Sequence, residues 1–181
     1  MNDDLVIRSP ADDELDIVAS VMVEAYAEFA ETMAPDAWSA FAQHIANVRG
    51  RLDDAELLVA ERDGRIVGAV TLFTAWRGAQ LDAYGVRMLA VPPPERGTGV
   101  AHALISEAIR RARAAGKRRV VVTVTPEMET ARDIFDHLGF ERDPALDHEP
   151  GPGVYAAGYA LHLDRVSGPR EGPPGADRET P

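Results

Sequence analysis

The six residues from Arg96 to Ala101, Arg-Gly-Thr-Gly-Val-Ala, carry the clearest chemistry in this chain. They follow an apolar run and open a helical pattern. The two glycines let the backbone approach a ligand closely, and the first N–H groups of a helix have no acceptor within it. Such a terminus carries about half a positive charge and suits a phosphate or pyrophosphate. Arg96 adds a full charge beside it. Two nucleotide-binding motifs fail here. A P-loop needs G-x-x-x-x-G-K-[ST], which the chain lacks. A dinucleotide fingerprint needs glycine or alanine where His102 stands, and an acid at the end of the next strand, where Val124-Thr125 supply none. No cysteine is present, so a disulfide, a thiolate metal site and a cysteine nucleophile are excluded. The histidines (His44, His102, His137, His148 and His162) show no metal-ligand spacing, and no metal is expected.

The flanking elements can be read from periodicity. Leu5 to Arg8 is a short strand. Ser9 and Pro10 read as the cap and first position of a helix running to about Ala30, with Leu15, Val18, Met22, Tyr26 and Phe29 at helical spacing. Pro35 opens a second helix with Trp38, Phe41, Ile45 and Val48 on one stripe, and Gly50 reads as its stop. Strands at Glu56 to Glu61 and Arg65 to Phe73 flank Asp63-Gly64, a strong hairpin signal. Val86 to Val91 is a strand cut off by three prolines. The glycine loop then leads into a helix to about Ala115, with Gly116 at the position of a C-terminal cap. Val120 to Val124 is a continuous apolar run, as in a strand covered on both faces. Residues 86–124 therefore read as strand, crossover helix and parallel strand. A helix from about Thr130 to Leu138 ends at Gly139, and Phe140 to Arg142 and Val154 to Leu163 are the last strands.

The 181 residues fit one domain, placed at residues 1–165. The Gly- and Pro-rich residues 166–181 cannot bury enough apolar surface to offset their ordering entropy and are expected to be a disordered tail. Net charge is −11, unevenly spread. Residues 1–40 hold ten acids and one base, whereas residues 96–119 hold seven bases and one acid. An acidic chain makes poor bulk contact with phosphate backbones, so no nucleic-acid partner is expected. No apolar run reaches the ~18 residues of a membrane span, and no membrane partner is expected. The acidic N-terminus lacks the regions of a signal peptide, which points to the cytoplasm.

R-x-x-G-x-A, from Arg96 to Ala101, resembles the pyrophosphate loop of the GNAT superfamily of acyl-CoA-dependent N-acetyltransferases. The resemblance extends upstream to Met88-Leu89-Ala90-Val91-Pro92. Downstream it reaches the valine strand and the stretch Ala131 to Phe140 with its Leu-Gly-Phe end. It spans about 53 contiguous residues, and element order agrees to about residue 164. The resemblance implies an α/β fold (an α+β mixed sheet) whose two splayed parallel central strands are flanked by helices. It also implies acetyl-CoA as co-substrate and a primary amine, small-molecule or peptidyl, as acceptor. The acidic N-terminal half would favour a cationic acceptor. Two other readings stay open, a non-catalytic acyl-CoA-binding or regulatory module and an acyltransferase for longer acyl groups. Family members often pair, which leaves a homodimer open.

Residue by residue, the resemblance implies that the backbone of Leu89, Ala90 and Val91 pairs with the pantetheine amides. An N–H near Leu89 would hold the thioester carbonyl. The N–H groups of Gly97, Thr98, Gly99, Val100 and Ala101 would cradle the pyrophosphate, with Arg96 on a phosphate. The basic run from Arg110 to Arg119 is read as complementing the negative end of the same helix, in preference to contacting the 3′-phosphate. The chain departs from the pattern in its acid–base groups. Many members carry a tyrosine where Phe135 stands and an asparagine where Met128 stands. Others place a glutamate in the first splayed strand, where this chain offers Tyr84, Gly85 and Arg87. Tyr84 is then the first candidate for handling a proton, with Asp82 before it, and a tyrosine packed on a helix is the plainer alternative. Tyr26 and Glu28, with Glu31, end the first helix where an acceptor wall is expected. Tyr26 also lies on the apolar stripe and fits core packing. His137 fits a satisfied or exposed histidine better than a base.

Overall fold

Asp63 and Gly64 both take positive φ, 51° and 72°, as a two-residue hairpin turn requires. The computed structural model describes residues 4–74, 82–151 and 153–164. Its strands are β1 (Val6–Arg8), β2 (Ala55–Arg62), β3 (Arg65–Phe73), β4 (Ala83–Ala90), β5 (Arg119–Val124), β6 (Glu141–Arg142), β7 (His148–Gly151) and β8 (Val154–His162). Its helices are α1 (Leu15–Tyr26), α2 (Pro35–Ala46), α3 (Val100–Ala114) and α4 (Glu129–His137). The sheet order is β1-β2-β3-β4-β5-β8-β6, with β7 also paired to β8. The β4–β5 pair is parallel, and the other pairs are antiparallel. The fold is thus a mixed α/β sheet flanked by helices.

Alternation along β2 splits the core. Leu57 and Val59 pack with Leu15, Val18, Met22 and Ile45 under α1 and α2. Leu58 and Ala60 pack with Leu104, Ile105 and Ala108 of α3 on the other face. α3 lies close to the sheet because Gly68 has no side chain. A Cβ there would meet Val100 Cγ1 at 2.6 Å. The C-termini of α3 and α4 close as expected, with Lys117 N–H donating to the Ala112 carbonyl (2.9 Å) and Phe140 N–H to that of Phe135 (3.0 Å).

Several boundaries differ from the sequence expectation. Ser9 caps no helix. A 3₁₀ turn spans Asp12–Glu14 and α1 begins at Leu15. The Glu14 carboxylate accepts from Ala11 N–H at 2.7 Å and from Arg8 at 2.7 Å, and the charged pair outcompetes a neutral hydroxyl. The Ser9 hydroxyl accepts from Arg111 instead. α1 stops at Tyr26 and a 3₁₀ turn, Ala27–Glu31, completes the expected length. α2 ends at Ala46, and Asn47, not Gly50, terminates it; the Gly50 N–H donates to Asn47 Oδ1. β7, too short to show alternation, was not expected. Residues 75–81 lie outside the described residues, as does the tail at 166–181.

The feature that positions the site is the divergence of β4 from β5. They pair only at Ala83, Tyr84 and Gly85, opposite Arg119, Val120 and Val121. Beyond Gly85 that edge of β4 is open. A bulge falls in the open part. One β3 residue, Val70, faces two on β4, Met88 and Leu89, and Met88 stands at φ 53°. A non-glycine residue in this region costs on the order of 1–3 kcal/mol and persists only where the surroundings hold it.

Candidate functional site

Gly97 (φ 73°) and Gly99 (φ 87°) curl the chain between the three prolines and α3, and Gly99 is the N-cap of α3. A Cβ at either position would meet nothing within 4 Å, so the cradle faces open space. Two arginines hold this loop from opposite sides. Arg62, at the end of β2, donates to Glu95 Oε2 at 2.9 Å and to the Thr98 carbonyl at 3.3 Å. Arg96 donates to the Val91 carbonyl at 3.1 Å, to the Ala25 carbonyl at 3.0 Å and to both Glu28 oxygens at 3.0 and 3.2 Å. Its guanidinium therefore ties the loop to the end of α1. The Thr98 hydroxyl turns back onto the Glu95 carbonyl. The loop presents backbone, while its polar side chains build its scaffold.

A cleft of about 380 Å³ runs from this loop into the opening of β4. Leu89 and Val91 form its floor. Gly97, Gly99, Val100, Ala101 and His102 form its end at the loop, with Glu95 and Arg96 beside them. Met128, Thr130, Ala131 and Ile134 of the α4 segment form one wall, with Glu127 at the margin. Ala25, Tyr26, Glu28 and Phe29 of the α1 end form the other. The Glu127 carboxyl is held below the usual range by a hydrogen bond from the Thr125 hydroxyl, so it stays ionised. Tyr26 donates its hydroxyl to the Leu89 carbonyl at 2.9 Å. Burial pushes its phenol up to about 12, against partial relief from Arg51 and Arg96.

The sequence-derived candidates divide sharply. Leu89, Val91, Arg96, Gly97, Gly99, Val100, Ala101, Tyr26 and Glu28 share this cleft. The Ala90 side chain packs into the core under α1. Tyr84 lies elsewhere. It is 5% exposed, its hydroxyl is 3.5 Å from Glu56, and Lys117 sits over its ring at 5.2 Å. The physical reason is direction. β4 runs toward the loop, so its first residues sit at the far end, beside the C-terminus of α3. Glu28 stands on the α1 wall of the cleft and is paired there with Arg96 of the loop. Phe135 is 4% exposed and packs on Phe140, ring centroids 5.2 Å apart, outside the cleft. Arg62, Phe29, Thr130 and Ile134 were missed. The helical spacing of Thr130, Ala131 and Ile134 could have revealed one α4 face, but nothing local marks Arg62.

The family model of the acetyltransferase (GNAT) family matches residues 19–140. Among solved structures, the chain resembles an N-acetyltransferase of Thermoplasma acidophilum in complex with coenzyme A. The TM-score is 0.70 at 13% identity, covering 85% of this chain and 97% of that one. It also resembles a Salmonella typhimurium protein solved with its cofactor acetyl-CoA, with TM-score 0.64 at 19% identity over 92% and 98% of the two chains. An N-acetyltransferase of Staphylococcus aureus Mu50 matches with TM-score 0.62 at 19% identity over 88% and 99%. These likenesses concern the fold.

Proposed function

Because this chain belongs to the GNAT acetyltransferase family, we propose that it transfers an acetyl group from acetyl-CoA to a primary amine. Both substrates would be held together in the cleft described above. The observation that carries this reading is the continuity of that cleft. One volume joins the left-handed glycine cradle at the start of α3 to the open edge of β4. Acetyl-CoA needs both parts. Its pyrophosphate suits the unpaired N–H groups from Gly97 to Ala101. Its pantetheine arm, amide-bearing and otherwise apolar, suits the open edge of β4 at Leu89, the adjoining Val91 and the apolar walls of Met128 and Ile134.

The chemistry is attack by a neutral amine on the thioester carbonyl carbon. Holding both reactants in one cleft contributes up to about 7–11 kcal/mol in ideal cases. A preplaced N–H of the open β4 backbone near Leu89 would stabilise the oxyanion. A base or a water chain takes the proton of the amine. The exposed acids of α1, the 3₁₀ turn after it and α2, among them Asp16, Glu24, Glu31 and Asp36, support a cationic acceptor through long-range attraction. Tyr84 has no part in this scheme, because it lies outside the cleft.

The test is thiol release from acetyl-CoA across a panel of amines, with longer acyl-CoA donors alongside. Release with at least one amine, strongest with the acetyl donor, is the expected result. Coenzyme A bound tightly with no thiol released above background would favour a binding module, the reading that Phe135 and Met128 support. Phe135→Tyr separates these ideas further. Its new hydroxyl would be buried against Phe140 without a partner, at a cost of about 1–3 kcal/mol. The expected outcome is a lower melting temperature and no gain in turnover. A rise in turnover would place that position at the reacting atoms.

A further inference from the structure

Thiolate departure from a thioester is helped by a proton donor at sulfur. α4 offers none at Phe135, whose ring is packed in the core. The opposite wall of the cleft does offer one. α1 ends at Tyr26, and the following 3₁₀ turn brings Phe29 beside it. The Tyr26 ring is wedged between Phe29, centroids 6.0 Å apart, and Phe41, edge-on at 5.9 Å. This packing fixes the phenol oxygen 2.9 Å from the Leu89 carbonyl, on the part of β4 that has left β5. Tyr26 is the only tyrosine among the described residues lining the cleft.

We propose that Tyr26 is the catalytic acid of this site, donating its phenolic proton to the coenzyme A sulfur as the thioester breaks. The assignment rests on the acetyl-transfer reading above. In the step, the amine nitrogen bonds to the acetyl carbon and the C–S bond breaks, its electron pair going to sulfur. The Tyr26 proton moves to that sulfur and gives the free thiol. The proton lost by the amine nitrogen returns to the phenolate through solvent in the open cleft. The sum is amine plus thioester to amide plus thiol. Between turnovers the hydroxyl hydrogen points to Leu89, and rotation about the phenolic C–O bond redirects it. A tyrosine phenol is protonated at neutral pH, so the donor form is always present. The Leu89 hydrogen bond also braces the strand next to Met88 and its positive φ.

Tyr26→Phe keeps the ring packing and removes only the hydroxyl. Three measurements decide the matter: turnover with the best amine of the panel, coenzyme A affinity by calorimetry, and melting temperature. The expected result is a turnover lower by about 100-fold or more, with affinity within about threefold and melting temperature within a few degrees. Turnover within about threefold of the parent overturns the acid role and leaves acetyl transfer standing. Loss of turnover together with affinity or stability makes Tyr26 a brace for β4 and also overturns it. A parent protein that binds coenzyme A but turns over no amine overturns the acetyl-transfer reading itself, and the Tyr26 role with it.

Discussion

Gly99→Asp is expected to abolish coenzyme A binding while leaving the protein folded. Gly99 is the N-cap of α3 at φ 87°, and a Cβ there meets nothing within 4 Å. The added side chain therefore has room, and aspartate is among the residues that tolerate the left-handed region best. Backbone strain is then a modest cost, of order 1–3 kcal/mol at most. The carboxylate, however, stands where the pyrophosphate must approach the first N–H groups of α3. Like charges in that position cost several kcal/mol, which is about two to three decades of affinity. Gly99→Asn is the control, since it carries the same shape and strain without the charge. Calorimetry should show the asparagine variant weakened by less than about tenfold and the aspartate variant by about 100-fold or more. Equal losses in both would mean that shape governs the loop, and unchanged affinity in both would move the phosphate site elsewhere.

The second large effect is expected at Gly68, a residue that touches no ligand. A Cβ there would lie 2.6 Å from Val100 Cγ1, 3.2 Å from the Ala90 carbonyl oxygen and 3.3 Å from Leu104 Cδ1. Val100 and Leu104 are themselves fully buried, so they have little room to give. Gly68→Val must then lift the first turn of α3 off the sheet. Overpacking of this kind costs about 1–3 kcal/mol, which lowers the melting temperature by several degrees. The same displacement moves the N–H groups that follow Gly99. Coenzyme A affinity should fall by about tenfold or more, with Gly68→Ala intermediate. A variant that loses stability but keeps its affinity would show that the loop is held by Arg62 and Arg96 alone, whatever the seat of α3.

Much of this was legible in contiguous residues. The hairpin at Asp63-Gly64, the glycine loop before α3, the caps at Gly116 and Gly139 and the valine run of β5 all depend on neighbours a few positions away. Periodicity therefore reported them correctly. The failures had a different character. Ser9 was a sound cap by type, but Arg8 and Glu14 formed a charged pair that took its place. Tyr84 had a suitable side chain on the right strand but stood at the wrong end of it.

The sequence by itself determined the backbone chemistry of the loop. Left-handed glycines before a helix produce an anion site from backbone alone, and no distant residue is needed to create those N–H groups. It also determined the strand, helix and strand that carry the loop. Only the tertiary structure decided which polar side chains line the cleft and which hold the loop. Arg96 meets Glu28 across 68 positions, Arg62 meets Thr98 across 36, and Tyr26 meets Leu89 across 63. Each of these side chains could have paired with many others. The choice follows from which groups the packed helices bring within reach, and from the cost of burying a polar atom without a partner. That competition is settled over the whole fold, so no local stretch of sequence records its outcome.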